Sequence, residues 1–314
     1  MHAVATSQTM ESTWSDRFSQ PPELDEVCPA LVARAHGRTD RGRKRPSNED
    51  RFLVASPAAP WSRRSDDLAY RMPLEYDTNQ LLVVADGMGG HAGGAHASEL
   101  AVTAVETALL STLHWLFALR PTGDERDVDV LGEMCAALQR ADLRVCEEAA
   151  RSPEHADMGT TLTAAYLHGS RLFVAHAGDS RCYLLRGKKM YRLTRDHTLV
   201  NEMVQHGILA SEDEALAPFR SVITNFVGGS QPGVRVEVHR VHVAPGDAVL
   251  LCTDGLTNML SDAQIAAILT AYPDPRDACD RLVDAANDAG GKDNITAVVA
   301  RCEELPDAAQ RLPG

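Results

Sequence analysis

Leu81–Gly94 reads LLVVADGMGGHAGG, four apolar residues and an alanine running into Asp86 with glycine directly behind. An apolar run of that length bounded by glycine predicts a buried strand. Asp86 falls where that strand leaves the core, and Gly87, Gly89 and Gly90 let main-chain carbonyls and amides approach whatever the carboxylate holds. Such a setting suits a cation or a phosphate. Gly87, Gly89 and Ala92 also fit the dinucleotide pattern G-x-G-x-x-G/A. That reading needs an acid about 20 positions on, at the end of a second strand. The nearest candidate, Glu106, lies in a helical pattern, and Asp86 would set negative charge beside a pyrophosphate.

Upstream, Arg34, Arg38, Arg41, Arg43, Lys44 and Arg45 crowd together and end in Ser47-Asn48-Glu49-Asp50. A basic run is usually a solvated face. Here it meets two acids, and a guanidinium beside carboxylates suits a phosphoester site because arginine grips phosphate oxygens in pairs. Arg51–Ala55 reads as a strand, and 56–79, rich in proline and charge, reads as a long loop. Downstream, Ala95–Leu110 has helical spacing, 111–129 breaks it, and a second amphipathic helix is expected over about 130–150.

The middle of the chain is β-like: 159–167, 171–177, 181–186 and 189–193 are separated by tight glycine turns, so neighbouring strands must run antiparallel. Residues 197–216 return to a helical pattern, and 219–229 follow neither period. Strands at 234–243 and 248–253 precede helices at 261–269, with Ser261 as cap, and 275–289; a last strand is expected at 295–300. His239 and His242 lie three apart in a strand, which points them to opposite faces and makes a poor metal pair.

With 314 residues, 44% hydrophobic and 24% charged, the chain has the make-up of a soluble globular protein. Its net charge of −13 argues against nucleic-acid binding, and no apolar run reaches the ~18 residues of a membrane span. Seven cysteines without a C-x-x-C pair read as reduced core thiols, and a cytoplasmic monomer is expected. Residues 1–30, rich in Ser, Thr, Gln and Pro, are expected to form a loose arm, and 303–314 a tail, around a folded domain at 31–302.

Four aspartates share one position in this pattern. Asp86, Asp179 and Asp254 each follow a strand, and Asp293 precedes one. In an antiparallel sheet the exit of one strand lies beside the entrance of its neighbour, so such acids can meet at one edge. Converging carboxylates repel unless cations lie among them, and oxygen-only ligands favour Mg²⁺ or Mn²⁺.

Seven ordered segments now carry a resemblance: R-x-x-N-E-D at Arg45–Asp50, ADGMGGHAGG at 85–94, MGTTLTA at 158–164, GDSR at 178–181, DHT at 196–198, CTDGL at 252–256 and KDNIT at 292–296. Together they resemble the bacterial form of the metal-dependent PP2C (PPM) serine/threonine protein phosphatases, over about residues 31–302. The resemblance implies an α+β fold, a four-layer α-β-β-α sandwich of two packed antiparallel sheets flanked by helices, in agreement with the order of elements. It implies that Asp86 bridges two Mn²⁺ or Mg²⁺ ions, that the Gly87 carbonyl helps hold one, and that Asp254 and Asp293 complete the other's shell. Glu49 and Asp50 would act through water, Arg45 would grip the phosphate, and Asp179, with Ser221 nearby, would serve a third, weaker ion. Substrates would be phosphorylated proteins, among them Ser/Thr kinases and their targets. Met88 stands where many eukaryotic members carry a histidine, and Thr224-Asn225-Phe226 where bacterial members often carry a basic residue. The alternatives are a phosphatase confined to one small phosphoserine protein, a non-catalytic binding module and a two-metal phosphodiesterase.

Overall fold

The structure is a computed structural model that describes residues 21, 31–56, 62–64, 79–89, 93–119, 124–151, 153–209, 219 and 221–305. The arm expected at 1–30 (Pro21 apart), most of the 56–79 loop and the end of the tail lie outside these residues.

In chain order the strands and helices begin with β1 (Leu31–Asp40), β2 (Asp50–Ala55), β3 (Ser62–Arg64), β4 (Asn79–Met88), α1 (Gly93–Leu119) and α2 (Asp124–Ala149). Next come β5 (Gly159–Thr160), β6 (Leu162–His168), β7 (Arg171–Ala177), β8 (Arg181–Arg186), β9 (Lys189–Arg192) and α3 (Leu199–Gln205). The chain continues through β10 (Val227–Gly228), β11 (Glu237–His242), β12 (Ala248–Cys252), α4 (Asp254–Thr257), α5 (Asp262–Ala271), α6 (Pro275–Asp288) and β13 (Ile295–Glu304). A five-stranded sheet has the order β1-β13-β12-β8-β9. An eight-stranded one runs β10-β5-β4-β6-β7-β11, with β2 and β3 branching from β4. Every pairing is antiparallel.

Both faces of the central strands are covered, which is why they read as unbroken apolar runs. In β4, Leu81, Val83 and Ala85 pack under α1 and α2, while Leu82 and Val84 enter the layer between the sheets with Val54, Val249, Leu251 and Val298. On the other side, Leu250, Cys252, Ala297 and Val299 meet Ile265, Leu269, Leu282 and Val283 of α5 and α6. The result is the expected four-layer α-β-β-α sandwich. Ser261 caps α5 in a reciprocal box with Gln264, as its sequence position foretold.

Several boundaries differ from the sequence reading. Residues 111–119 and 124–129, expected as a loop, are helical. Leu113 continues the buried face of α1, and Asp127 is buried in α2 because Arg171 and Arg240 both reach it at 2.7 Å. β1 is hidden in the basic run: Arg34 and Arg38 alternate with Ala33 and Ala35 and pair with Asp274, Asp280 and Asp284 at or just before α6. Glu303 and Glu304, assigned to the tail, lie in β13 opposite Val32 and Leu31. The helix expected over 197–216 is observed only as α3, and 210–218 lie outside the described residues. β4 continues past the expected strand end, because Asp86 pairs with Asp50 of β2 and Gly87 with Thr160 of β5.

Candidate active site

The two sheets end together on one side, and there the functional side chains meet. Asp86 is fixed by its main chain: its amide donates to Thr161 Oγ1 at 2.9 Å, and its carbonyl accepts from Thr161 N and Thr160 Oγ1, both at 2.9 Å. Thr161 Oγ1 also lies 2.7 Å from Ser180 Oγ, next to Asp179, so one threonine ties the end of β4 to the turn after β7. The sequence held Thr160 and Thr161 in a motif but offered no role for them.

On the other sheet, Asp254 opens α4 directly after β12 and accepts from Asn258 Nδ2 at 2.9 Å. Asn294, leading into β13, organises the turn before β2. Its Oδ1 accepts from Glu49 N at 2.9 Å, and its Nδ2 donates to the carbonyls of Arg41 (2.9 Å) and Ser47 (2.8 Å). That turn delivers Arg45, whose Nη2 donates to Asp293 Oδ2 at 2.6 Å.

A cavity of about 420 Å³ collects Arg45, Glu49, Asp86, Gly87, Asp179, Ser221, Asp254 and Asp293, with Met88 and Asn294 also on its wall. Asp50 does not line it. Buried behind, Asp50 accepts from Thr253 Oγ1 (2.8 Å) and Thr296 Oγ1 (2.6 Å). The aspartates come from both sheets, not from a single edge: Asp86 from the larger, Asp254 and Asp293 from the smaller, and Asp179 from the turn that crosses from β7 of one to β8 of the other.

Burial is the main force on these groups and mutual repulsion the next. Burial, then Asp50, Asp254 and Asp179, drives Asp86 well above the ordinary carboxylate range. Asp179 is pushed up to about 8 by burial, with Asp254 and Asp196 adding to it. Asp50 rises to about 7 through burial and the charges of Asp254 and Asp293, against the hydroxyls of Thr296 and Thr253. Burial and Asp293 raise Asp254 as well. One oxygen each of Asp50, Asp179 and Asp254 is buried with no hydrogen-bond partner. Unpaired buried oxygens on mutually repelling carboxylates are costly, and divalent cations relieve both penalties at once. The donor set therefore fits hard metal ions. Among the described residues no three such side chains close on a single point as a finished cage; they share a cavity, and Arg45 holds one of them.

A second polar cluster steadies the rim. Gly178 N and Asn225 Nδ2 donate to His197 Nδ1 at 3.1 and 2.9 Å, and His197 Nε2 donates to Glu237 Oε2 at 3.2 Å. This joins the Asp179 turn to the segment carrying Ser221 and Asn225. Neighbouring His176 accepts from Thr163 Oγ1 and donates to the Arg195 carbonyl. Burial, with His197 adding to it, pushes His176 down to about 4. Its unfolded form takes up a proton as pH falls through 6.5 while the folded form stays neutral, so the stability this one group contributes is lost between pH 6.5 and 4. Between pH 7 and pH 5 that contribution falls by about 2 kcal/mol, read as the difference between the parent and His176→Gln in urea unfolding at the two pH values, because the raised Asp179 and Asp50 titrate over the same range in the opposite sense.

Two packed antiparallel sheets, walled by helices and ending in a carboxylate cavity beside an arginine, are the architecture and site that the seven sequence motifs led one to expect. The profile named protein phosphatase 2C matches residues 62–298, and the chain belongs to that family. It is 33% identical over 270 residues to the serine/threonine protein phosphatase PstP of Mycobacterium tuberculosis, covering 86% of this chain but only 45% of that protein. It is also 33% identical over 265 residues to the serine/threonine phosphatase stp of Listeria innocua, covering 84% of this chain and 94% of the relative. Among solved structures, the PstP catalytic domain in complex with two manganese ions superposes with a TM-score of 0.65 at 33% identity, over 87% of this chain and 99% of that one.

Proposed function

We propose that this chain hydrolyses phosphoserine and phosphothreonine in proteins, using water activated by two Mn²⁺ or Mg²⁺ ions and no phosphoenzyme, and that it opposes Ser/Thr kinases in the cytoplasm as a monomer. The observation that carries this reading is four aspartates and Arg45 on one cavity, with buried carboxylate oxygens left unbonded. Asp86, the Gly87 carbonyl, Asp254 and Asp293 would hold the ions, with Glu49 and Asp50 acting through water and Asp179 beside Ser221 serving a third, weaker position. Bound there, the ions would supply a water of lowered pKa and draw charge from the phosphoryl oxygens.

The chain's own groups do the rest. Arg45, half exposed and tied to Asp293, can turn its guanidinium to the phosphate once Asp293 is otherwise neutralised. The hydroxyls on the cavity wall belong to Ser47 and Ser221, and neither pairs with a base among the described residues, so no activated side-chain nucleophile is offered. Asp50 braces the two sheets through Thr253 and Thr296. The catalytic unit lies within 31–304, and the 56–79 segment is proposed to recognise a partner. Its deletion should slow hydrolysis of a native phosphoprotein and spare a small aryl phosphate.

Purified protein with Mn²⁺ should hydrolyse both a phosphothreonine peptide and p-nitrophenyl phosphate, and EDTA should stop both; no turnover with Mn²⁺ refutes the reading. Arg45→Lys keeps the charge but loses the paired grip, so kcat/KM should fall roughly 10- to 100-fold, mostly through KM.

A further inference from the structure

The turn between β1 and β2 carries Arg41, Arg43, Lys44 and Arg45, and all four are exposed. It lies pressed on the loop before β13. Arg43 N donates to the Gly291 carbonyl at 2.7 Å. A Cβ on Gly291 would come within 2.8 Å of Arg43 Cγ, so the arginine stem runs along that loop. Gly42, at φ +77°, sits so tightly on the Asp293 carbonyl that no side chain would fit. Exposed Lys292 follows Gly291 on the same loop. Arg41 folds back onto the Pro46 carbonyl at 3.3 Å and holds the turn together.

Arg43, Lys44 and Lys292 differ from the arginines that brace the fold. Arg34, Arg38, Arg51, Arg171, Arg181, Arg186 and Arg240 each meet a carboxylate. No carboxylate among the described residues pairs with Arg43, Lys44 or Lys292. The acids alongside are already engaged, Asp40 with Gly42 N at 2.8 Å and Asp293 with Arg45. In a chain of net charge −13, these cations, next in sequence to the cavity-lining Arg45 and Asp293, form a local field of opposite sign to the whole.

We propose that Arg43, Lys44 and Lys292 form an anion-binding shelf beside the cavity that favours substrates carrying an acidic or phosphorylated residue near the scissile phosphoresidue. The proposal rests on the phosphatase reading of the cavity. Arg43 and Lys44 directly precede Arg45. An extended peptide whose phosphate meets Arg45 therefore carries its neighbouring residues past the shelf, at ~3.3 Å per residue. Exposed pairs are individually weak and screened by salt, so the preference is shared among the three cations and appears in KM.

The test uses the full chain with Mn²⁺ on four phosphothreonine peptides that differ only in their flanks: neutral, Asp/Glu, a second phosphoserine, and Lys/Arg. p-Nitrophenyl phosphate serves as the flank-free control. At low salt kcat/KM should be about tenfold higher for an anionic flank than for the neutral one, through KM, and the gap should collapse at high salt. Preference for both anionic peptides assigns the shelf to negative charge in general, and preference for the doubly phosphorylated one alone assigns it to phosphate. The triple variant Arg43→Glu, Lys44→Glu, Lys292→Glu should reverse the order while hydrolysing p-nitrophenyl phosphate like the parent. If the triple variant loses that control activity, Lys44→Glu and Lys292→Glu are compared singly. Equal kcat/KM on all four peptides, or an anionic preference that survives charge reversal, overturns the shelf. Failure of the parent on p-nitrophenyl phosphate overturns the phosphatase reading and the shelf with it.

Discussion

Asp254→Asn is expected to cut Mn²⁺-dependent turnover by about 10³ or more while raising the melting temperature of the metal-free protein. The two effects have one cause. Asp254 is a partly buried carboxylate raised by burial and by Asp293, with Oδ1 buried and unbonded, so in the absence of cations it is a liability to the fold. Asparagine keeps the shape and can still meet Asn258, but it removes the charge that would hold an ion, and losing several kcal/mol of charge stabilisation corresponds to roughly three powers of ten in rate. Relief of about 1 kcal/mol of repulsion should appear as a rise of about 2–4 °C. With Mn²⁺ at about 100 times its Kd the parent should gain about 2.7 kcal/mol, and the variant little of it. Phosphopeptide assays and melting curves with and without Mn²⁺ check both halves. Undiminished activity in Asp254→Asn would remove the aspartates from the mechanism.

Gly255→Ala should be the most damaging of the small changes at the site. A Cβ there would overlap the Asn294 carbonyl oxygen and lie 2.8 Å from its carbon, and both belong to main chain that cannot swing aside. Either α4 or the 293–294 turn must shift, and these carry Asp254 and Asp293. The expected cost is about 3 kcal/mol, a fall of about 6–12 °C in Tm, with turnover reduced beyond what the stability loss explains. Gly132 in α2 is the contrast: a Cβ there meets nothing within 4 Å, so Gly132→Ala should stabilise the protein by up to about 1 kcal/mol and leave activity alone. Calorimetry on the pair separates a steric effect at the site from a general intolerance of substitution.

Much of this could be read along the chain. The unbroken run of Leu81–Ala85, the glycine turns at 169, 178 and 187, and Ser261 ahead of Gln264 each carry their meaning within a few residues. The strands, hairpins and cap they announce are present. The aspartates at strand ends were visible for the same reason. What was misplaced depended on distant partners. β1 was hidden in a basic run read as part of a phosphoester site, because the acids that neutralise Arg34 and Arg38 lie some 240 residues on, at or near α6. The start of α2 looked like a break because Asp127 makes sense in a helix only once Arg171 and Arg240 arrive.

The residues alone established which chemistry was on hand, acids beside an arginine in a setting for hard cations, because residue type and local period are properties of short segments. Only the packed chain decided that those acids come from two different sheets, that Asp50 stands behind the cavity, and that Thr161, Asn294 and His197 fasten its walls. Those facts follow from closing two sheets against each other, and side chains brought together by that closure leave no periodic trace in the sequence between them.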